Sequence, residues 1–263
     1  MNILNRSSLK SRSSLPYFEI PGLADLSWLR HAFLTRRGGT SSPPYDSLNL
    51  SDHHGDRKED VSKNRNLVAA TFSLEPGRLV SLGQVHQDKI LLFREPLPAV
   101  FSFTGYDAAI TNSPNTFLSI LTADCLPIFV VDTRKKVVAA VHAGRQGTGL
   151  QIVRKVLKRM EEVFRCSLRN LFISLGPSIG SCCYEVDDRV FLREWEPFST
   201  SSGDGKWRVN LAGINLFQLK EEGIEEDQIF TVDLCTGCNK DLFFSYRKEG
   251  RTGRQVSFIG ILE

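Results

Sequence analysis

The chain has 263 residues, of which 41% are hydrophobic and 24% are charged, and its formal net charge is +3. A chain of this length buries roughly three quarters of the surface that it exposes when unfolded, so it can support one large domain. The charge is too small to indicate a nucleic-acid partner, and no apolar run approaches the roughly 20 residues of a membrane helix. Six cysteines in so long a chain do not indicate a disulfide scaffold.

The N-terminal segment is rich in serine and carries scattered basic side chains. No apolar stretch of the secretory kind follows it. We therefore expect a flexible N-terminal arm over residues 1–15 and a single catalytic domain over residues 16–263. We also expect a cytoplasmic protein with reduced thiols, which leaves cysteine available for metal binding or catalysis.

The first half of the chain predicts a loop, a helix and then buried strands. Residues 36–56 are rich in Gly, Ser, Pro and Asp, which is typical of a loop. Apolar side chains at helical spacing predict a helix over residues 61–72. Short apolar runs separated by turn residues then predict strands over residues 116–121, 128–132 and 137–142.

The second half mixes helices and strands without strict alternation. A helix is predicted over residues 150–164, where apolar side chains recur at steps of three and four, with Thr148 as its N-cap. Another helix is predicted over residues 210–222. Further strands are predicted over residues 172–175, 229–234, 242–246 and 256–262. Mixed sheets covered by helices therefore fit the pattern as well as a doubly wound sheet.

Two histidines and one cysteine lie at predicted strand ends, where proteins present catalytic groups. His86 follows an apolar segment, His142 ends an apolar run and precedes glycine, and Cys125 lies at a break between two apolar runs. Catalytic zinc sites commonly take three ligands from scattered strand ends and leave one position open. The three residues therefore indicate a zinc site. His31, by contrast, is interpreted as a hydrogen-bonded structural residue.

The same atoms support a second interpretation. Cys125 is then a nucleophile, with His142 or His86 as its base, in a metal-free cysteine hydrolase. Asp124 is interpreted either as a proton shuttle beside the reacting atoms or as a turn residue that caps backbone amides. A third interpretation, a binding protein without activity, is disfavoured because all three candidate ligands are present.

A CxxC motif is formed by Cys235 and Cys238. The adjacent pair Cys182 and Cys183 does not have the spacing expected of the other half of a zinc site. A thioredoxin-type motif opens a helix, whereas this motif lies between predicted strands. We therefore interpret these cysteines as ordinary loop thiols.

A series of short motifs occurs in order along nearly the whole chain. They are Thr35-Arg36-Arg37-Gly38-Gly39, Ser47-Leu48-Asn49-Leu50, Gln84-Val85-His86, Thr122-Ala123-Asp124-Cys125-Leu126-Pro127, His142-Ala143-Gly144, Gly176-Pro177-Ser178-Ile179-Gly180, Tyr184-Glu185-Val186 and Phe243-Phe244-Ser245-Tyr246-Arg247. Together they resemble the family of the bacterial YfiH and YlmD proteins. The resemblance implies an α+β fold with two mixed β-sheets between helix layers, similar to a family of cysteine hydrolases.

The resemblance also implies an activity and its site. Family members are described as purine nucleoside phosphorylases that act on adenosine, inosine, guanosine and methylthioadenosine and also deaminate adenosine. Others have been called polyphenol oxidases, laccases or peptidoglycan editing factors. The implied site has a zinc ion on His86, Cys125 and His142, with Cys125, Asp124 and His142 in catalytic roles. The implied partners are a purine nucleoside and phosphate, with Arg36 and Asn49 as the residues that bind phosphate or substrate.

The third ligand motif departs from the family pattern. Family members have His-Ala-Gly-Trp-Arg-Gly, whereas this chain has His142-Ala143-Gly144-Arg145-Gln146-Gly147. We expect this change to alter the substrate preference and to leave His142 as a ligand. Five histidines are too few for a multicopper oxidase, which needs many imidazole ligands for several copper ions.

Overall fold

The computed structural model describes residues 8–75, 77–94 and 103–263. The strands are β1 (Ser8–Arg12), β2 (Leu15–Glu19), β3 (Leu29–Leu34), β4 (Leu79–Ser81), β5 (Ile90–Phe93), β6 (Ala108–Thr111), β7 (Thr116–Thr122), β8 (Leu126–Asp132), β9 (Val137–Ala143), β10 (Leu171–Leu175), β11 (Glu185–Asp187), β12 (Ser199–Gly203), β13 (Lys206–Val209), β14 (Ile229–Thr231) and β15 (Gln255–Ile261). The helices are α1 (Pro21–Ala24), α2 (Lys58–Phe72), α3 (Arg145–Gly149), α4 (Ile152–Phe164), α5 (Leu211–Glu221) and α6 (Tyr246–Glu249).

The strands form two large mixed sheets and one small sheet. The first large sheet has the order β1-β2-β3-β15-β7-β4, and the second has the order β14-β10-β8-β9-β6-β5. Neighbours in the first sheet are antiparallel except β7 and β4, while the second sheet has a parallel pair at each edge. The small sheet has the order β11-β13-β12 and is antiparallel.

The two large sheets pack face to face, and helices cover their outer faces. Phe33 of β3 and Phe129 of β8 stack between the sheets with their ring centroids 4.5 Å apart. Phe72 of α2 packs on the outer face of the first sheet, and Met160 of α4 packs on that of the second. Each such buried side chain contributes about 1.5–3 kcal/mol of hydrophobic free energy. This arrangement confirms the α+β fold of two mixed sheets between helix layers.

Most predicted elements are present with slightly different bounds. The strands predicted over residues 116–121, 128–132 and 137–142 correspond to β7, β8 and β9, and the helix predicted over residues 61–72 lies within α2. Asn210 is the N-cap of α5, because its side chain accepts a hydrogen bond from the Gly213 amide. None of the described helices has the length and apolarity needed to cross a membrane.

The N-terminal arm predicted over residues 1–15 is wrong from residue 8 onward. Residues 8–12 form β1, which pairs with β2 in a register that places Leu9 opposite Phe18. Backbone pairing therefore orders a segment whose serine-rich composition resembles that of a mobile tail. The remainder of the predicted arm, residues 1–7, lies outside the described residues.

Two local predictions after His142 are also wrong. Thr148 does not cap a helix, because it lies inside α3, and the chain breaks at Gln151 in a left-handed conformation before α4 begins. The strand predicted over residues 242–246 is absent from the described structure. Phe243 and Phe244 are fully buried there, but in a turn that leads into α6. Apolar side chains in a buried turn have the same pattern as a short buried strand.

Candidate active site

The three predicted ligands meet where the chain passes between the two large sheets. His86 lies between β4 of the first sheet and β5 of the second, and Cys125 lies between β7 of the first and β8 of the second. His142 lies near the end of β9, beside β8. One ligand atom from each of the three residues lies within 4.8 Å of the others. The structure therefore brings together the residues that the sequence predicted as a metal site.

Asp107 orients two of these residues, and the sequence analysis did not identify it. Its carboxylate is fully buried at the start of β6, and it accepts a hydrogen bond of 2.8 Å from Nδ1 of His142. It also accepts the backbone amides of Val85, His86 and Gln87 at 3.3, 2.9 and 2.8 Å. Because Nδ1 of His142 is engaged, its Nε2 is left for Cys125 or a metal ion. Such a carboxylate partner fixes the tautomer and orientation of a metal-binding imidazole.

Charges within the site activate the Cys125 thiol. Burial raises its pKa, but the positive charge of His142 and hydrogen bonds from His142 and His86 outweigh that effect and bring it to about 6. Burial lowers the pKa of His142, but the Cys125 thiolate and Asp107 raise it to about 9. The pair is therefore a thiolate beside an imidazolium when no metal is present. A thiolate is the form of cysteine that binds metals and attacks electrophiles.

Residue 144 must be glycine for this arrangement to form. A Cβ atom on Gly144 would lie 2.9 Å from Sγ of Cys125 and 3.4 Å from Cδ2 of His86. The first distance is shorter than any normal contact, and both sulfur and imidazole are held by their own partners. The glycine thus allows the start of α3 to approach the sulfur closely.

Asp124 acts as a structural acceptor in the described conformation. Its φ of +103° is unusual for a residue with a side chain. Its carboxylate accepts hydrogen bonds of 2.7 Å from the hydroxyls of Thr236 and Ser245 and from the amide of Arg247. These contacts match the interpretation of a turn residue that caps backbone amides, here at the N-terminus of α6. The catalytic role of Asp124 stays a prediction.

A polar cavity of about 270 Å³ lies next to this site and is lined by Arg145, Tyr184 and Arg247 among others. Burial raises the pKa of Tyr184 to about 12. The positive charges of Arg145 and Arg247 lower this pKa, and the negative charges of Cys125 and Asp124 raise it. Tyr184 therefore remains a neutral phenol at physiological pH. The guanidinium of Arg247 lies 5.2 Å from the centre of its ring.

Arg254 adds a further guanidinium close to Cys125. Burial lowers its pKa, and the charges of Cys125 and Asp124 partly offset that effect. Its Nη1 donates to the backbone carbonyls of Thr252 and Gly253, at 3.1 and 2.9 Å. Neither Arg254 nor Arg247 is predicted as a site residue from the sequence, although both lie in or near the C-terminal motif.

The sequence of the chain matches a protein family and several known proteins over most of its length. A family model described as multi-copper polyphenol oxidoreductase laccase matches residues 30–262. The chain belongs to this family. Purine nucleoside phosphorylase YlmD of Bacillus subtilis is 33% identical over 247 residues, which cover 88% of each chain. Purine nucleoside phosphorylase YfiH of Escherichia coli is 37% identical over 235 residues, which cover 87% of this chain and 92% of that protein.

Solved structures of the YfiH and YlmD proteins share the fold. The crystal structure of YlmD from Geobacillus stearothermophilus has a TM-score of 0.88 and 28% identity, covering 98% of this chain and 100% of that one. The crystal structure of a hypothetical protein YfiH from Bacillus licheniformis has a TM-score of 0.87 and 31% identity, covering 98% and 99%.

The histidines of this YfiH/YlmD-family chain do not form a multicopper site. His31 is buried and accepts the Ile20 amide at 2.9 Å, as expected of a structural residue. His53 is exposed, and His54 is hydrogen-bonded to the Ser51 hydroxyl. Two of the five imidazoles, both in the described part of the chain, remain for metal binding. A laccase with several copper ions needs many more.

Arg36 and Asn49 have partners within the chain. The Arg36 side chain is 9% exposed and donates to Glu249, to the backbone carbonyl of Lys240 and to that of Asp46, at 2.7, 2.9 and 2.7 Å. Its guanidinium also lies 4.4 Å from the Phe244 ring centre. These contacts occupy most of the N–H donors of Arg36, and its phosphate-binding role stays a prediction.

Asn49 is fully buried, and its amide serves the loop around it. It donates to the carbonyl of Ser51 and to Asp56, at 3.0 and 2.9 Å, and it accepts the amides of Ser51 and Arg254, at 3.1 and 2.8 Å. A direct phosphate contact would need a donor that the amide does not have to spare. In the structure Asn49 holds the backbone of Arg254 by accepting its amide, and its role in binding phosphate or substrate stays a prediction.

The four cysteines that the sequence predicts as ordinary loop thiols lie close together in the structure. Ligand atoms of Cys182, Cys183, Cys235 and Cys238 all lie within 4.8 Å of one another. The spacing of the cysteines in the sequence does not predict this proximity, because a parallel bridge between Ser178 and Cys235 places the two loops side by side. Spacing rules hold for motifs on neighbouring turns, whereas here the tertiary fold supplies the second pair.

Proposed function

We propose that the chain is a zinc-dependent purine nucleoside phosphorylase, with adenosine deamination as a second activity. The observation that carries this proposal is the His86, Cys125 and His142 cluster, oriented by Asp107. It occurs in a chain whose relatives in Bacillus subtilis and Escherichia coli are named purine nucleoside phosphorylases.

The donor set fits a catalytic zinc ion. Two imidazoles and one thiolate are ligands that zinc prefers, and three protein ligands leave a fourth position for substrate or water. Asp107 holds Nδ1 of His142, and Gly144 leaves the space beside the sulfur free of side-chain atoms. His86, Cys125 and His142 would hold the ion, which would provide Lewis-acid chemistry at this position when bound.

Phosphorolysis requires a bound dianion beside the sugar. A phosphate oxygen forms a bond to C1′ of the ribose, the C1′–N9 bond breaks, and the electron pair and a proton go to the purine. We place the phosphate near Arg247 and Arg145, which line the cavity, with Arg254 close by. A guanidinium can donate two parallel hydrogen bonds to phosphate oxygens. Tyr184, held as a phenol, is placed to donate a hydrogen bond to the sugar or the base.

Deamination would use the same cavity with water in place of phosphate. The oxygen of water would form a bond to C6 of adenine and the C6–N6 bond would break. One water proton completes the ammonia that leaves, and the other remains on N1 of the hypoxanthine product. Arg145 replaces the tryptophan of the family motif that His142-Ala143-Gly144 resembles, and it lines the cavity in which we place the substrate. We therefore expect a nucleoside preference that differs from that of family members with the Trp-Arg sequence.

The proposal is tested on purified protein with a panel of nucleosides, with and without phosphate. We expect zinc by elemental analysis, base release only with phosphate, and ammonia release from adenosine without it. Cys125→Ala should lose the zinc ion held by His86, Cys125 and His142 together with base release, whereas Cys166→Ala, a buried thiol away from the site, should keep both. Base release at full rate without phosphate would rule out phosphorolysis.

A metal-free cysteine hydrolase, for example one acting on peptidoglycan precursors, is the second candidate. The observation in its favour is the thiolate–imidazolium pair of Cys125 and His142, with Asp107 behind the imidazole. This order of nucleophile, base and orienting carboxylate is that of a catalytic triad. Full activity of a chelated, metal-free protein, together with inactivation by a thiol alkylating reagent, would favour this candidate over the zinc enzyme.

A further inference from the structure

Four cysteines form a compact group outside the active site. They are Cys182 and Cys183 in one loop and Cys235 and Cys238 in another, here called the four-cysteine cluster. Sγ of Cys238 lies 3.4 Å from Sγ of Cys182 and 3.5 Å from Sγ of Cys183. Cys182 and Cys238 are exposed, so the cluster is open to ions from solvent.

The backbone around the cluster brings the two loops into register. Ser178 and Cys235 form a parallel bridge, and the Thr236 amide donates to the Ser178 carbonyl at 3.1 Å. A Cβ atom on Gly237 would lie 3.1 Å from Sγ of Cys183, and one on Gly180 would lie 3.3 Å from Sγ of Cys182. Both positions are thus close enough to the sulfur atoms for a side chain to crowd them.

Backbone amides point at one of the sulfur atoms. The Gly180 amide donates to Sγ of Cys235 at 3.2 Å, and the Cys238 amide also donates to it. Neutral thiols are weak acceptors, whereas a thiolate is a strong one. Amide donors to the sulfur atom therefore favour the thiolate form, which is the form that binds a metal ion.

We propose that the four-cysteine cluster binds one structural zinc ion. Four soft sulfur ligands in a compact group are the donor set of closed, tetrahedral zinc sites. With zinc–sulfur bonds of about 2.3 Å, tetrahedral sulfur atoms lie about 3.8 Å apart. The two contacts of Cys238 are slightly shorter than this and the upper limit of 4.8 Å for the group is longer, so small side-chain rotations complete the site. Binding replaces the thiol protons, one from each cysteine, with the ion.

The cluster has a consequence for the active site. Its two loops contact Asp124, which precedes Cys125 in the chain. The Ile179 amide donates to the Asp124 carbonyl at 2.9 Å, and the Thr236 hydroxyl donates to the Asp124 carboxylate at 2.7 Å. An ion in the cluster would join the two loops and hold this wall of the active site in place. The inference does not depend on the reaction that the active site performs.

The experiment uses the full chain with the active-site ligand removed. Cys125→Ala protein, reduced and freed of metal, is titrated anaerobically with cobalt(II) and then with zinc. We expect one cobalt ion per chain, with strong sulfur-to-cobalt charge-transfer absorption that zinc displaces. Adding Cys235→Ser and Cys238→Ser should abolish both the absorption and the tight binding. Adding Cys166→Ala instead should change neither, since Cys166 lies in the core away from the cluster.

Other outcomes would overturn the proposal. One is reduced Cys125→Ala protein that binds no cobalt or zinc while its circular dichroism shows the native fold. Another is cobalt binding that the Cys235→Ser and Cys238→Ser changes leave intact. A third is a disulfide among these cysteines that forms in air at the same rate with and without zinc, which would identify a redox pair.

Discussion

At the scale of single residues, Asp107 determines the positions of His86 and His142 in the site more than any of the three metal ligands does. Its two oxygens accept three consecutive backbone amides, those of residues 85–87, and the His142 ring. It therefore fixes the loop that carries one ligand and the ring of another. The carboxylate is fully buried, so each of these donors would lose its partner if the oxygens changed.

We expect Asp107→Asn to weaken zinc binding by about ten- to a hundredfold. The asparagine amide would place N–H groups against backbone N–H donors, and it could no longer accept from both the loop and His142. The measurement is zinc affinity by competition with a chromophoric chelator. Asp88→Asn is the control, because Asp88 is partly exposed and pairs with Lys155 outside the site. Equal zinc affinity in native protein and Asp107→Asn would contradict the role given to Asp107.

We expect Arg36→Ala to lower stability and leave phosphate dependence unchanged. The buried guanidinium pairs with Glu249, and the removal of one partner of such a pair costs about 3 kcal/mol. Arg247→Ala, by contrast, should raise the KM for phosphate about ten- to a hundredfold, as the loss of a charge-assisted contact predicts. Thermal unfolding and phosphate titration of base release measure the two effects. A native Tm with a raised phosphate KM in Arg36→Ala would instead support the phosphate-binding role that the family resemblance implies.

Some site residues can be predicted from the sequence because of their chemistry and position, whereas others are found only from the fold. His86, Cys125 and His142 are chemically distinctive and adjoin apolar strands, so strand ends and ligand chemistry identify them. Asp107 has no motif of its own, and only the fold shows that it faces His142. The pairing of Cys182 and Cys183 with the CxxC motif likewise depends on a bridge between loops far apart in sequence.

At the scale of elements, apolar periodicity predicts where buried segments lie better than it predicts their ends. The apolar spacing of α4 already begins at Leu150, before the break at Gln151, so the break leaves no trace in the periodicity. β1 lacks a continuous apolar pattern, because one edge strand needs only backbone pairing with β2. The small sheet of β11, β12 and β13 was not predicted, since its strands are short and mostly exposed.

The N-cap of α5 gives a prediction at this scale. Asn210→Ala removes the acceptor for the Gly213 amide and should cost about 1 kcal/mol, which lowers the Tm by about 2–4 °C. Asn210→Asp keeps an acceptor in the same place and should retain near-native stability. Differential scanning calorimetry of the three proteins checks this. A native Tm in Asn210→Ala would show that the cap contributes little to α5.

At the scale of the whole molecule, the site lies where the chain crosses from the first large sheet to the second. The connections β4 to β5 and β7 to β8 both pass from the first sheet to the second, and they carry His86 and Cys125. The sheets themselves are rigid layers with an apolar core between them. Ligands on such crossings are positioned by both layers at once, so the site depends on how the sheets pack together. A change that loosens the packing of the two sheets is therefore expected to disturb the geometry of the site as well.

We expect His31 to make the whole fold sensitive to acid. It lies in β3 and accepts the Ile20 amide through Nε2, so the folded state needs its neutral form. Burial, helped by the charges of Lys10 and Arg30, lowers its pKa from 6.5 to about 3. Between those values the unfolded chain binds the proton and the folded chain does not. Stability is therefore full above pH 6.5 and falls as the pH drops toward 3, by at most about 2 kcal/mol between pH 6.5 and pH 5.

Urea unfolding at pH 7 and pH 5 tests this on native protein, His31→Gln and His53→Gln. Glutamine can accept the same amide without titrating, so His31→Gln should lose about 2 kcal/mol less than native protein between the two pH values. His53 is exposed beside Asp52, and His53→Gln should keep the native dependence. Parallel losses in native protein and His31→Gln would show that His31 does not cause the acid sensitivity. That outcome would leave other groups that titrate between pH 5 and pH 7 as the cause. Asp107 is not among them, because its bond to His142 lowers its pKa despite burial and confines its loss of stability to more acidic pH.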